Sequence, residues 1–77
     1  MVYKYEYKGF EVAAQVAESP TTWQVRVDVQ KFDNDVVVKA FPPFEESFAR
    51  SNGVLSAVLH MKKIVEQTID DYISSGG

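Results

Sequence analysis

His60 is the single histidine of the chain, with Ser56 one helical turn before it and Lys63 close behind. A serine hydroxyl beside an imidazole is the minimal pair for nucleophilic acyl transfer, the imidazole acting as base. That reaction also needs an acid to orient the ring and donors for an oxyanion, and the sequence around His60 supplies neither. Glu45-Glu46 and Asp70-Asp71 are adjacent carboxylate pairs. Neighbours in sequence point apart on a helix, so neither pair makes an acid/base dyad. Asp33-Asn34-Asp35 starts like a calcium loop but lacks the later glycine and bidentate glutamate, and it reads as a turn. With one histidine and no cysteine there is no transition-metal constellation, thiolate nucleophile or disulfide framework. The expectation is no catalysis, no cofactor and no metal.

Stacking is the other chemistry on offer. In "YKYEYKGFEV", residues 3 to 12, Tyr3, Tyr5 and Tyr7 are spaced by two and share one face of an extended strand. Such a row is either a platform for nucleic-acid bases or one wall of a hydrophobic core. Phosphate contacts would then come from the loop and open-face cations Lys4, Lys8, Arg26, Lys31 and Lys39. Three features oppose this. The net charge is −3, which does not favour a polyanion. The tyrosine face is shared with Phe10, Val12 and the valines of a later strand, so a helix must cover it. The opposite face mixes cations with Glu6, Glu11 and Asp28 and carries one aromatic residue, Phe41, whereas single-strand binders combine a positive groove with several aromatics. A double-stranded-RNA-binding domain needs basic residues where its helix starts, and here that segment is "SNGVL". Lys62-Lys63 falls mid-helix among Glu66, Asp70 and Asp71 and reads as a solvated face. The tyrosines are therefore expected in the core, with hydroxyls reaching the sheet edge.

The elements that position these residues follow from periodicity. A two-residue loop at Lys8-Gly9 sets Tyr7 opposite Phe10, Tyr5 opposite Val12 and Tyr3 opposite Ala14. "TWQVRVDVQ" alternates strictly, with Trp23, Val25, Val27 and Val29 on one face. A second two-residue loop at Asp33-Asn34 pairs Val29 with Val38, Val27 with Ala40, Asp28 with Lys39 and Arg26 with Phe41. Pro42-Pro43 stops the strand. Residues 44 to 53 read as a connection containing at most a short helical turn. From Val54 to Ile73 the spacing becomes helical, with Val54, Val58, Met61, Val65, Ile69 and Tyr72 forming one stripe. Ser51 or Asn52 is the expected N-cap, and Gly76 the left-handed residue at the far end. The predicted architecture is α+β: a four-stranded antiparallel sheet from two hairpins, packed on one face by a single C-terminal helix, in one domain over residues 1 to 77.

Protein association has the strongest residual signal. Leu55, Leu59 and Ile73 flank the helix stripe and need not reach the sheet, and Val37 and Phe41 are apolar on the open face. An outer strand adds an unpaired edge. These five residues are the candidate surface for a protein partner or a homodimer. The terminal Gly76-Gly77 resembles the tails of ubiquitin-like and sulfur-carrier proteins, but there the helix follows the first hairpin and the tail follows a strand. Here the pair reads as a frayed helix end.

Composition limits the setting. The chain has 77 residues, 45% of them hydrophobic and 25% charged, an ordinary balance for one small globular domain. The N-terminus lacks the apolar run of a signal peptide, and no stretch approaches the roughly 20 apolar residues of a membrane span. The lack of cysteine favours the cytoplasm.

"YKYEYKGFEV" and "FEESFARSNGVLSAVLHMKKIVEQTID" together resemble a group of small proteobacterial proteins. These have a tyrosine-rich first strand, a Y-K-G-[FY] hairpin and a C-terminal helix led in by an S-F-A-like segment. The matching positions are Tyr7-Lys8-Gly9-Phe10 and Ser47-Phe48-Ala49. The resemblance implies a bacterial, cytoplasmic origin and brings no function or site residue.

Overall fold

The computed structural model describes residues 2 to 76. Strands β1 (Val2–Tyr7), β2 (Phe10–Glu18), β3 (Thr22–Asp33), β4 (Val36–Ala40) and β5 (Phe44–Ala49) lead through a 3-10 turn at Arg50–Asn52 into α1 (Val54–Ser74). Every pairing is antiparallel; the sheet order is β1-β2-β3-β4, and β5 also pairs with β3. The fold is α+β, with one C-terminal helix on an antiparallel sheet of five strands rather than four. Gly77 lies outside the described residues, so the terminal diglycine is placed only at Gly76.

The first hairpin has the expected register, with Tyr7 opposite Phe10, Tyr5 opposite Val12 and Tyr3 opposite Ala14. Lys8 and Gly9 take φ values of 49° and 86°, the pair of positive angles by which a type I′ turn matches the strands' twist. Burial of the tyrosine–valine face fixes this register, because a one-residue slip would expose all of it.

The second hairpin departs from expectation. Its loop is Asn34-Asp35, with φ 51° and 64°, and Asp33 faces Val36. Asn and Asp both tolerate left-handed backbone, so Asp33-Asn34 and Asn34-Asp35 compete on local grounds. Packing further along the strand selects the latter. Pairing shifts by one residue between Lys31 and Phe32, a β-bulge that skips Val38. Each such offset turns the following side chains to the opposite face. Here it delivers Phe41 to the helix side, where its N–H donates to the Val29 carbonyl at 3.1 Å. The predicted Arg26–Phe41, Asp28–Lys39 and Val29–Val38 pairs do not form. Lys39 faces Lys31, and Arg26 faces Glu45.

A further offset follows at Pro42-Pro43, neither of which can donate to a ladder. Beyond it Phe44 opposes Val27 and Phe48 opposes Trp23. β4 and β5 are thus two segments of one return strand along β3. The segment read as a connection is strand up to Ala49, and its helical turn is confined to Arg50–Asn52. Its alternation is hidden in the sequence because Glu46 holds the middle position on the helix side, between Phe44 and Phe48.

Sheet residues Phe10, Val12, Ala14, Val16, Val25, Val27 and Val29 close against Ala57, Met61, Val65 and Ile69 of the helix. The predicted stripe is therefore correct, with Val54, Val58 and Tyr72 at its rim. The N-cap is Gly53, with no side-chain capping bond, and Ser51 and Asn52 belong to the preceding turn. Gly76 takes φ 87° and its N–H reaches the Ile73 carbonyl at 3.1 Å, the left-handed ending expected. No helix among the described residues is long and apolar enough to cross a membrane.

The second position of a type I′ turn prefers glycine strongly. Asp35→Gly is therefore expected to stabilise the fold by about 0.5–1 kcal/mol, read as a higher urea midpoint. An unchanged or lower midpoint would contradict the loop placement at Asn34-Asp35.

Candidate interaction surface

The tyrosine row lies beneath one flank of α1. The Tyr5 hydroxyl donates to Glu66 Oε2 at 3.2 Å, and the Tyr7 hydroxyl to Asp70 Oδ1 at 2.9 Å. Lys8 Nζ donates to the same Asp70 oxygen at 2.7 Å. Lys62 Nζ stands 5.7 Å from the centre of the Tyr5 ring. The rings pack on the core as expected, but the hydroxyls of Tyr5 and Tyr7 turn to helix carboxylates instead of the sheet edge. Tyr5 and Tyr7 are thus engaged by their own helix, and Tyr3 stacks on Tyr5.

Burial, reinforced by Glu66, holds the Tyr5 phenol far above its ordinary 10.0. The hydrogen bond to Asp70 raises Tyr7, and the same carboxylate raises Lys8. Asp70 is lowered from 3.8, first by the bond from Lys8 and then by that from Tyr7. A raised folded pKa contributes stability that is complete below the unfolded value and lost as pH rises through the folded one. For Tyr5, Tyr7 and Lys8 that loss starts near pH 10 and continues upward. Asp70 works oppositely: its contribution is present above about pH 4 and is lost as pH falls through its depressed value. Urea midpoints are expected to decline from about pH 10 upward, with Tyr7→Phe declining less. A native midpoint that stays constant to pH 11 would contradict the tyrosine–carboxylate bonds.

Exposed apolar residues collect at the margins of the sheet. Among the described residues β1 pairs only with β2, and β4 and β5 only with β3, so β1 on one margin and the β4–β5 return strand on the other present unpaired backbone edges. Beside β4 stand Val36, Val37 and Val38, exposed 61%, 44% and 54%, and Phe32 at 41%. Beside β1, Val2 is 63% exposed, and the helix flank that contributes Lys62 and Glu66 continues to Leu55 and Leu59 in one direction and Ile73 in the other. All three are exposed, Leu55 the most at 67%. Of the candidate partner residues, Leu55, Leu59, Ile73 and Val37 are thus at the surface. Phe41 is not: it lies on the helix side, its ring 5.7 Å from Phe10 and 5.5 Å from Tyr72.

The candidate cations divide between the two faces: Lys31 and Lys39 face each other across β3 and β4, at the end of the sheet where Lys8 forms the first turn, and Lys4 and Arg26 are on the opposite face. Lys4 and Arg26 are on the open face, Lys4 near Glu11 at 3.9 Å and Arg26 bonded to Glu45 at 3.0 Å with Asp28 at 3.5 Å. Lys8 is held by Asp70 at the first turn. Lys31 and Lys39 are on the helix side at the same end as that turn, Lys31 over Phe10 and Lys39 over Phe41 and Tyr72. An open-face hollow of about 450 Å³ is lined by residues including Val2, Gln15, Gln24, Ser47 and the Arg26–Glu45 pair. Its one cation is already neutralised.

No family model, curated protein or solved structure matches the chain.

His60 does have an acidic neighbour, which corrects the expectation that no such group is near: Glu46 Oε2 lies 3.6 Å from Nε2, and Phe48 packs edge-on against the ring. Glu46 comes from β5, a strand the sequence did not reveal. Both side chains are about half exposed, a setting in which the carboxylate is screened by water. The structure also adds Val2, Phe32, Val36, Val38 and Ile64 to the exposed apolar set. The run "VVV" carried the available signal, since three consecutive apolar residues on a strand cannot all share one face.

Proposed function

We propose that the protein is a small non-catalytic association module. It joins another protein chain through a free sheet edge and the helix flank beside it, and self-association is its simplest form. The supporting observation is the coincidence of unpaired edges with exposed large apolar residues at β1 and β4. Edge strands template pairing with another chain. The absence of cysteine in so small a chain supports a reducing, cytoplasmic setting. Nucleic-acid binding through Lys4, Lys8, Arg26, Lys31 and Lys39 draws less support, because each of these cations already has a carboxylate or a ring against it.

Sedimentation equilibrium over rising concentration tests the reading. The expected mass rises from 8.7 kDa towards twice that value and persists at high salt, where phosphate contacts would fail. A monomer mass up to about 1 mM, where even a −4 kcal/mol interaction would show, would rule self-association out.

A further inference from the structure

We propose that the partner is a second copy of this chain, joined antiparallel through β1 about a two-fold axis at Tyr5. This rests on the association reading above and gives it a partner and a register. Residues 3 to 7, Tyr-Lys-Tyr-Glu-Tyr, are symmetric in position and opposite in charge about their centre. Antiparallel pairing about Tyr5 sets Lys4 of each copy opposite Glu6 of the other, and Tyr3 opposite Tyr7. Centring on Lys4 would place lysine against lysine, and centring on Glu6 would place glutamate against glutamate. A half-step register would turn tyrosines against the open face.

The backbone agrees with this centre. Tyr7 and Phe10 close a two-residue turn, and such a closing pair exchanges both hydrogen bonds. Alternation then commits Tyr5 and Tyr3 to β2 and leaves the N–H and C=O of Lys4 and Glu6 pointing away from it. Those are the groups that bond across the proposed axis, in two reciprocal Lys4–Glu6 pairs, with Tyr5 in the non-bonded central position. An isologous contact needs such self-complementarity.

The helix flank obeys the same axis. Tyr5 bonds Glu66 and Tyr7 bonds Asp70, so four helical residues, about 6 Å, advance beside two strand residues of about 6.6 Å. The helix therefore runs alongside β1 in the same direction. Lys62 and Glu66 both reach Tyr5, which puts the axis level with that turn of the helix. Leu55 lies before this turn and Ile73 after it. The two-fold thus turns the Leu55 end of one helix flank towards the Ile73 end of the other. The axis is perpendicular to the sheet, so both helices share one face of a sheet continuous across the pair.

The β4 edge is less suited to a second copy. Its bulge, the adjoining Pro42-Pro43 and the Lys31–Lys39 juxtaposition are devices that turn an edge away from pairing.

Charge reversal tests the register. In Lys4→Glu both cross-axis pairs become glutamate against glutamate; in Glu6→Lys both become lysine against lysine. Each variant, checked by circular dichroism for an intact fold, is expected to self-associate at least tenfold more weakly than the native chain. An equimolar mixture of the two variants restores opposite charge at every pair and is expected to associate as the native chain does. Singles that associate at native strength would overturn the β1 register while leaving association through another surface standing. Weakened singles that stay apart when mixed would also overturn it. A native chain that is monomeric throughout would remove the association reading itself.

Discussion

Ile69→Ala lowers the unfolding free energy by about 3 kcal/mol. Ile69 is fully buried on the face of α1 that meets the sheet, one turn after Val65, which is equally buried. Truncation removes the transfer energy of the lost methyl and methylene groups and leaves a void that neighbouring strands cannot close without breaking their ladders. Domains of this size have small cores and modest stability, so a loss of that size consumes much of the total. Ile64, 36% exposed on the flank of the same helix, is the comparison: Ile64→Ala is expected to cost clearly less than Ile69→Ala, about 1 kcal/mol. Urea denaturation of both variants measures the difference. Equal effects would mean that α1 does not meet the sheet through the Met61–Val65–Ile69 stripe.

Phe41→Ala costs about 2–3 kcal/mol, whereas Val37→Ala changes stability by about 0.5 kcal/mol or less. The contrast tests the return strand. With the loop at Asp33-Asn34, Phe41 would sit beside Arg26 on the open face and its loss would be nearly silent. In the observed register its ring packs between Phe10 and Tyr72, and Lys39 Nζ stands 5.0 Å from its centre. Edge-to-face ring pairs add about 0.5–1.5 kcal/mol beyond area burial. A double-mutant cycle of Phe41→Ala with Tyr72→Ala is therefore expected to show a coupling of about that size. Silent loss of Phe41 would restore the other register.

The first hairpin and the helix were legible because burial decides between the alternatives: a three-residue loop ending at Gly9 would set Phe10 opposite Glu6. The Tyr3–Tyr5–Tyr7 row can meet Phe10, Val12 and Ala14 only with the turn at Lys8-Gly9, and the valine–methionine–isoleucine stripe keeps helical spacing for its whole length. The second hairpin was not legible, because Asp33, Asn34 and Asp35 all accept left-handed backbone and the choice among them is made by Phe41 and Phe44 reaching the core. β5 was hidden by Glu46 standing where an apolar residue would have completed the alternation. For the candidate surface, Leu55, Leu59, Ile73 and Val37 followed from periodicity alone. The partners of the tyrosine hydroxyls did not, since Glu66 and Asp70 read as solvated until the direction of α1 relative to β1 is known.

Residue-resolved amide hydrogen exchange at high protein concentration tests edge association most directly. In a lone chain the amides of Tyr3, Tyr5 and Tyr7 are bonded to β2, while those of Lys4 and Glu6 face solvent and exchange freely. Pairing through β1 predicts that Lys4 and Glu6 become protected as concentration rises, together and to a similar degree, while the outward amides of β4 stay fast. Lys4 and Glu6 exchanging at unprotected rates in a sample that sedimentation shows to be dimeric would contradict it.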